Sequence, residues 1–388
     1  MADPSPLHHT VLIVPDWVGD PDEPSALRQG PEGVPALLEL AKSARVFTVS
    51  ADGARRGPYP RHGLPDSTPE AAFLGHDPRS LRIAQGPLAI SGLAYDVPDT
   101  AVSFDLRLLS IDEDGVLGPY VDQIAPAAEE ALIEAAKRLE TKELKILPGA
   151  RGLHGLTWEH GSLDLATYPP DDVLGKPLAA HLPEGDGEAK LRRLIDDSIN
   201  LLTDLEANRE LRDSGMPPCN VLWPWGQGTM PSLPRRSDLS TEVWVESASL
   251  RLAGLARSMG FRHGDRAALS RPMRPPFARL AQLSRTKPYF IVVLETLSYL
   301  RAEHRYDELA WFARQLDQYF LAPLAEDVAD RKLKLTILAP RLASEGTGLG
   351  MISAPGSGAP TAPFDERALD DIGELPVSIW QAVADALP

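Results

Sequence analysis

Cysteine is almost missing from this chain of 388 residues: Cys219 stands alone, which excludes an intrachain disulfide and any multi-cysteine zinc site. Positive charge is also short. Lys and Arg total 39 against 55 Asp and Glu, a formal net charge of −16. That balance speaks against a nucleic-acid binder, whose grip on phosphates needs clustered cations. No apolar run reaches the ~20 residues that span a bilayer, so no membrane association is expected. The opening Met1-Ala2-Asp3-Pro4-Ser5-Pro6 has no basic stretch leading into an apolar one. No signal peptide is therefore expected, and the cytoplasm is the expected compartment. Histidine thins out along the chain, and beyond position 263 only His304 remains. What is present is ordinary for a globular protein: 43% hydrophobic and 24% charged residues. The 37 prolines are spread along the chain and favour many irregular connections.

The pattern of apolar residues predicts an α/β protein. Thr10 to Val14 reads as a buried strand, and Arg45 to Ser50 as a second. Between them Val34 to Ala44 has helical spacing, so the three pieces suggest a parallel crossover unit. Residues 51–70 read as a loop, Thr100 to Ile111 as a half-exposed strand and Tyr120 to Thr141 as a helix. Strands are expected at 143–147 and 153–158, and a second long helix at 188–211. This middle region reads as a small α+β unit. Further strands are expected at 220–223, 289–294 and 333–338, with helices at 248–259, capped by Ser247, and 306–324. Residues 343–363, rich in Gly, Ser, Ala and Pro, read as a long loop.

Several segments in fixed order resemble the archaeal-type, cofactor-independent phosphoglycerate mutases of the alkaline phosphatase superfamily. Val14-Pro15-Asp16-Trp17-Val18-Gly19-Asp20 looks like the first strand and its metal-binding aspartate turn. Phe73-Leu74-Gly75-His76-Asp77-Pro78 looks like the segment after the nucleophile. Asn208-Arg209, followed by Asn220 to Gly228, resembles the return from an inserted domain. Val293 through Asp317 has the same strand, loop and helix rhythm. The resemblance implies an alkaline-phosphatase-like core, 1–94 and 216–388, with a mainly parallel sheet flanked by helices. It also implies an inserted α+β domain at 95–215, and a two-metal site at which a Ser or Thr hydroxyl takes and returns a phosphoryl group.

The sequence departs from that pattern where metal ligands belong. Asp16 is kept. The nucleophile segment reads Pro65-Asp66-Ser67-Thr68-Pro69-Glu70, with its hydroxyls shifted in register. Ser298 and Ala302 stand where the resemblance implies an Asp and a His, and Pro340-Arg341 where it implies an Asp-His pair. His304 and Asp307 lie close enough for a register shift to restore part of the site. The site expected on these grounds has Asp16 and Ser67 as catalytic candidates and no metal, Mn or Mg being the alternative. Ser67-Thr68-Pro69-Glu70 reads more simply as a helix cap.

Binding of a small anionic metabolite is expected from Arg262, Arg266, Arg271 and Arg274, part of the one basic cluster, and from Asn208 and Arg209. The bland reading of that cluster is a solvated loop paired with acidic surface. His154 and His160 read as structural or surface residues, and Trp223 and Trp225 as packing. The function expected is that of a diverged phosphoglycerate-mutase-like protein with metal-independent chemistry or none. The alternatives are an active metal-dependent mutase or phosphotransferase and a non-enzymatic interaction subunit.

Overall fold

The computed structural model describes residues 8–18, 33–52, 60–61, 64–96, 99–120, 124–233, 243–264, 275–342, 348–353 and 376–387. The chain divides into two compact units. The first is 1–56, 67–81 and 234–388, the second 57–66 and 82–233. The expected insertion, 95–215, lies inside the second unit, which also takes in residues on both sides of it.

The first unit is built on an eight-stranded sheet. Its strands are β1 (His8–Ile13), β2 (Arg45–Ser50), β10 (Val243–Ser247), β11 (Arg262–His263), β12 (Tyr289–Val293), β13 (Leu333–Ala339), β14 (Gly348–Ser353) and β15 (Val377–Ser378). They run in the order β11-β10-β12-β1-β13-β14-β2-β15. β1 is central and parallel to both neighbours, with Val11 opposite Ile291 and Thr336. A strand covered on both sides in this way reads as a continuous apolar run, as Thr10 to Val14 does. Leu12, Phe290, Leu335 and Ile337 pack into one core with Leu37 and Leu40 of the helix Pro35–Ala41 and with Phe312, Leu316 and Phe320. Asp317 joins these layers. It is buried, and it accepts the Leu37 and Ala36 N–H groups at 2.8 and 3.1 Å.

Two expectations change here. β1 and β2 share a sheet and a direction but do not pair, because β13 and the antiparallel β14 stand between them. β14 lies within the segment read as a loop. Its glycines hid it: at Gly350 a Cβ would come within 2.4 Å of the Phe47 ring, so only a residue without a side chain fits against β2. The helix read from 248 also starts later, over Leu250–Ser258, and Ser249 rather than Ser247 caps it, accepting the Leu252 N–H.

The second unit is an antiparallel sheet of β3 (Ala101–Ile111), β4 (Leu117–Tyr120), β5 (Leu144–Ala150), β6 (Leu153–Glu159) and β9 (Val221–Gly228), with a small separate pair, β7 (Leu165–Ala166) and β8 (Glu184–Gly185). β3 is not half-exposed as its alternation suggested. It lies between β6 and β9 and is buried almost throughout. The helix Gln85–Gly92 lies so close to it that a Cβ on Gly86 would sit 2.1 Å from the Ser103 carbonyl oxygen. Phe104, Leu106 and Leu108 pack with Leu132, Leu191, Leu194 and Leu202 of the helices Pro126–Ala136 and Glu188–Leu202. The second of these stops at Leu202, and a separate helix, Glu206–Asp213, follows.

His9, on β1, is 6% exposed, with Nε2 3.0 Å from Thr336 Oγ1. Burial, with the charge of Lys334 adding to it, holds its pKa down from 6.5 to about 3. The folded state thus resists a proton that the unfolded chain takes up below about pH 6.5. Full stability is expected above that pH, with a loss of about 1.4 kcal/mol for each unit as pH falls toward 3. Urea denaturation between pH 7 and 5 checks this: His9→Gln should show a flatter pH dependence than wild type, and parallel curves would refute it.

Candidate functional site

The carboxyl ends of β1, β12 and β13 form the edge at which open α/β sheets place ligands. Asp16 sits there, 2% exposed, in a left-handed turn with φ 56°. Asp tolerates that conformation better than most residues. Its N–H donates to the Pro340 carbonyl at 2.8 Å, and its Oδ1 accepts the Leu342 N–H at 2.7 Å. Oδ2 accepts the Ser298 hydroxyl at 2.6 Å. Ser298 belongs to the helix Thr296–Ala302, which follows β12. From the same helix Arg301 reaches back, and its Nη2 lies 3.1 Å from the Asp16 carbonyl oxygen. Arg301 and Arg341 are both buried, at 6% and 7% exposure. Asp16 is thereby tied to both segments that the sequence comparison had marked, at Ser298 and at Pro340-Arg341. His304 and Asp307 do not restore a site. Both are exposed, and His304 Nδ1 lies 3.2 Å from the Tyr306 hydroxyl.

Thr68 is fully buried and occupies the cap position of a short 3-10 helix, Pro69–Leu74, with Pro69 in its first turn. The helix-cap reading of this segment thus places its backbone, although no side chain closes the cap. Ser67 is half-buried and its hydroxyl makes no hydrogen bond to a described residue. The segment is held by a buried ion pair: Arg251 Nε lies 2.7 Å from Glu70 Oε1, and Nη2 donates to Oε2 at 3.1 Å.

Only part of the expected binding set falls among the described residues. Arg266, Arg271 and Arg274 lie outside the described residues. Arg262 is exposed on the edge strand β11. Other basic residues of that stretch meet protein partners: Arg279 donates to the buried Glu246 at 2.8 Å, Arg285 to Asp327 at 2.6 Å, and Lys287 lies 4.3 Å above the Trp244 ring. Asn208 is corrected to a structural role. Its amide group donates to the carbonyls of Leu202 and Cys219 at 2.8 and 3.0 Å and accepts the Cys219 N–H at 2.7 Å. Arg209 forms an exposed pair with Glu206. Trp223 and Trp225 pack in the core of the second unit, as expected. His154 is buried with Nε2 3.2 Å from Glu129, while His160 is exposed.

One charged group of the second unit went unnoticed in the sequence. Asp105 is fully buried on β3, and two residues on, on the same face, Arg107 binds it in a fork, with contacts of 2.7 and 2.9 Å. Gln85 Nε2 supports the carboxylate at 2.6 Å. The signal available was an Asp-x-Arg pair inside an otherwise apolar strand.

A family profile described as 2,3-bisphosphoglycerate-independent phosphoglycerate mutase matches residues 65–208. A protein of that name from Methanothrix thermoacetophila is 29% identical over 241 residues, 58% of each chain. One described as a probable such mutase, from Geobacter sulfurreducens, is 27% identical over 222 residues, 53% of this chain and 54% of the other. Over part of its length the chain is similar in sequence to the cofactor-independent phosphoglycerate mutases. It spans about half the length of the curated relatives it matches. Among solved structures, a cofactor-independent phosphoglycerate mutase from Thermoplasma acidophilum aligns with 99% of both chains at a TM-score of 0.58 and 16% identity. A protein from Pyrococcus horikoshii aligns with 98% of both at a TM-score of 0.67 and 14% identity. The likeness to these two is one of fold, and it agrees with the mixed α/β architecture of a large, mostly parallel sheet flanked by helices.

The pair of divalent cations that the resemblance implies can be tested against the residues present. Among the described residues no three His, Cys, Asp or Glu side chains gather as a metal-holding group. Both Asp16 carboxylate oxygens already accept hydrogen bonds, and a guanidinium lies on the adjoining carbonyl. A neighbouring positive charge repels a divalent cation, and a serine hydroxyl is a poor exchange for carboxylate or imidazole ligands. The described residues at this edge do not fit a two-cation centre.

Two stability measurements separate structural from solvated residues here. Asn208→Ala strips buried backbone groups of their partners and is expected to cost about 2–4 kcal/mol, against less than about 0.5 kcal/mol for Arg209→Ala. Arg251→Met, which leaves Glu70 buried without its guanidinium, is expected to cost about 3–5 kcal/mol. Chemical denaturation reads all three, and an Asn208→Ala variant as stable as wild type would return that residue to the ligand-binding candidates.

Proposed function

We propose that this protein is a phosphoglycerate-mutase-like protein that binds a small anionic, phosphorylated metabolite and acts on it without divalent metal, or binds it without turnover. The observation that carries the reading is the pair of buried arginines, Arg301 and Arg341, at the carboxyl edge of the β1, β12 and β13 strands, where Asp16 supplies the carboxylate. A chain of −16 repels anions on average, so an anion site needs a local positive field. Guanidinium groups supply one, and they suit phosphoryl oxygens through charge-assisted hydrogen bonds. Arg262, Arg266, Arg271 and Arg274 belong to the same reading as a second source of positive charge. The relatives' name points to phosphoglycerate as the first compound to try. No described helix is long and apolar enough to cross a membrane.

The role of Ser67 follows from the same chemistry. A hydroxyl becomes a useful nucleophile at neutral pH when a base or a metal takes its proton. No side-chain base among the described residues is hydrogen-bonded to the Ser67 hydroxyl. The two-cation route is left out of this reading on the chemistry of the residues around Asp16, whose oxygens accept hydrogen bonds from Ser298 and Leu342.

Calorimetric titration with 3-phosphoglycerate and with glycerate at matched ionic strength tests the proposal. The phosphorylated compound is expected to bind and glycerate not. Arg341→Met should weaken binding about 10-fold or more, since one Arg–phosphate fork is worth about 1.5–3 kcal/mol. No conversion to 2-phosphoglycerate is expected with Mn or Mg added. Turnover that requires metal and disappears in Ser67→Ala would establish the active metal-dependent mutase instead.

A further inference from the structure

We infer that the hydrogen bonds around Asp16 take over the mechanical work a divalent cation does in a two-metal site, so that the first unit holds its sheet edge together with no metal. The inference rests on the metal-independent reading above and deepens it.

In a two-metal site, carboxylate and imidazole ligands come from several strand ends, and the cation ties those ends together. Here the ends are tied directly. The turn after β1 is bound to the segment after β13 twice, through the Asp16 N–H to the Pro340 carbonyl and through the Leu342 N–H to Asp16 Oδ1, at 2.8 and 2.7 Å. It is bound to the helix after β12 through the Ser298 hydroxyl at 2.6 Å and through Arg301 at 3.1 Å. Three segments thus converge on one residue, as they would on a metal ion.

The electrostatics agree with this exchange. A carboxylate 2% exposed needs donors and a counter-charge, because burying it alone costs several kcal/mol. N–H and O–H donors serve both its oxygens, and Arg301 brings positive charge to within hydrogen-bond reach of the same residue. Ser298 is the pivot: an acid at that position would set a second carboxyl group beside Asp16, which would need a further cation or a retained proton, whereas the serine hydroxyl simply donates. The serine and the guanidinium therefore go together, and each makes sense of the other.

The test is thermal melting of the full chain, as purified, after EDTA treatment and with excess MnCl2, together with metal analysis. The expected result is one melting temperature in all conditions and metal well below one ion per chain. A rise of about 5 °C or more with Mn, or a comparable fall in EDTA, would overturn the inference, since a tightly bound ion raises stability by mass action. Ser298→Ala should lower the melting temperature with no recovery on adding Mn, and Ser298→Thr, which keeps the hydroxyl, should restore most of the loss. A double-mutant cycle of Ser298→Ala with Asp16→Asn should be far from additive, and strict additivity would show that the pair does not act as a tie. A parallel melt with 3-phosphoglycerate separates the two proposals. Absence of a ligand shift with metal-indifferent melts defeats the ligand reading and leaves this one standing, whereas metal-dependent melts defeat this one whatever the ligand does.

Discussion

The first unit turns on a carboxylate that is buried where three chain segments end. Asp16 would be costly in that place without partners, and it obtains them from the residues that follow β12 and β13. The requirement runs in both directions. The parallel strands have to be adjacent for the donors to reach, and the donors have to reach for the turn with φ 56° to persist. The order of the sheet and the geometry of its edge are thus one constraint seen twice.

The same rule governs the other buried charges. Glu70 is paired with Arg251 and Asp105 with Arg107, the latter supported by Gln85. Glu129 lies against His154 and also accepts the Arg151 and Gly152 N–H groups. These hydrogen bonds pull the Glu129 pKa down against the effect of burial, which alone would raise it. His154 Nδ1 accepts the Gly149 N–H at 2.9 Å, which leaves Nε2 as the nitrogen that carries hydrogen toward Glu129. Glu70 with Arg251 and Glu129 with His154 join separate elements, and at Asp105, whose arginine lies on the same strand, Gln85 supplies the link to another element.

The comparison with the mutases then acquires a physical content. The fold needs something at the carboxyl edge of β1, β12 and β13 to hold the strand ends in register. In a two-metal enzyme that is a pair of cations and their ligands. In this chain Ser298, Arg301 and the backbone of Leu342 all bond to Asp16 at that edge.

The sequence alone determined β1, β12 and β13 of the central sheet, because their burial shows as apolar runs, in β13 interrupted by Lys334 and Thr336. It also pointed to Asp16 at the carboxyl edge, where the structure places it. Tertiary structure decided the rest, for reasons that distance along the chain conceals. β14 is a strand because Phe47 accepts glycine beside it. β3 is buried because the helix Gln85–Gly92 packs closely against it, and the helices Pro126–Ala136 and Glu188–Leu202 enclose Phe104, Leu106 and Leu108. Asn208 turned from ligand candidate to staple because Cys219 folds back onto it, and Ser298 became a partner of Asp16 only when residues 282 positions apart met. A side chain's role depends on which groups compete for its hydrogen bonds, and that competition exists only once the chain has folded.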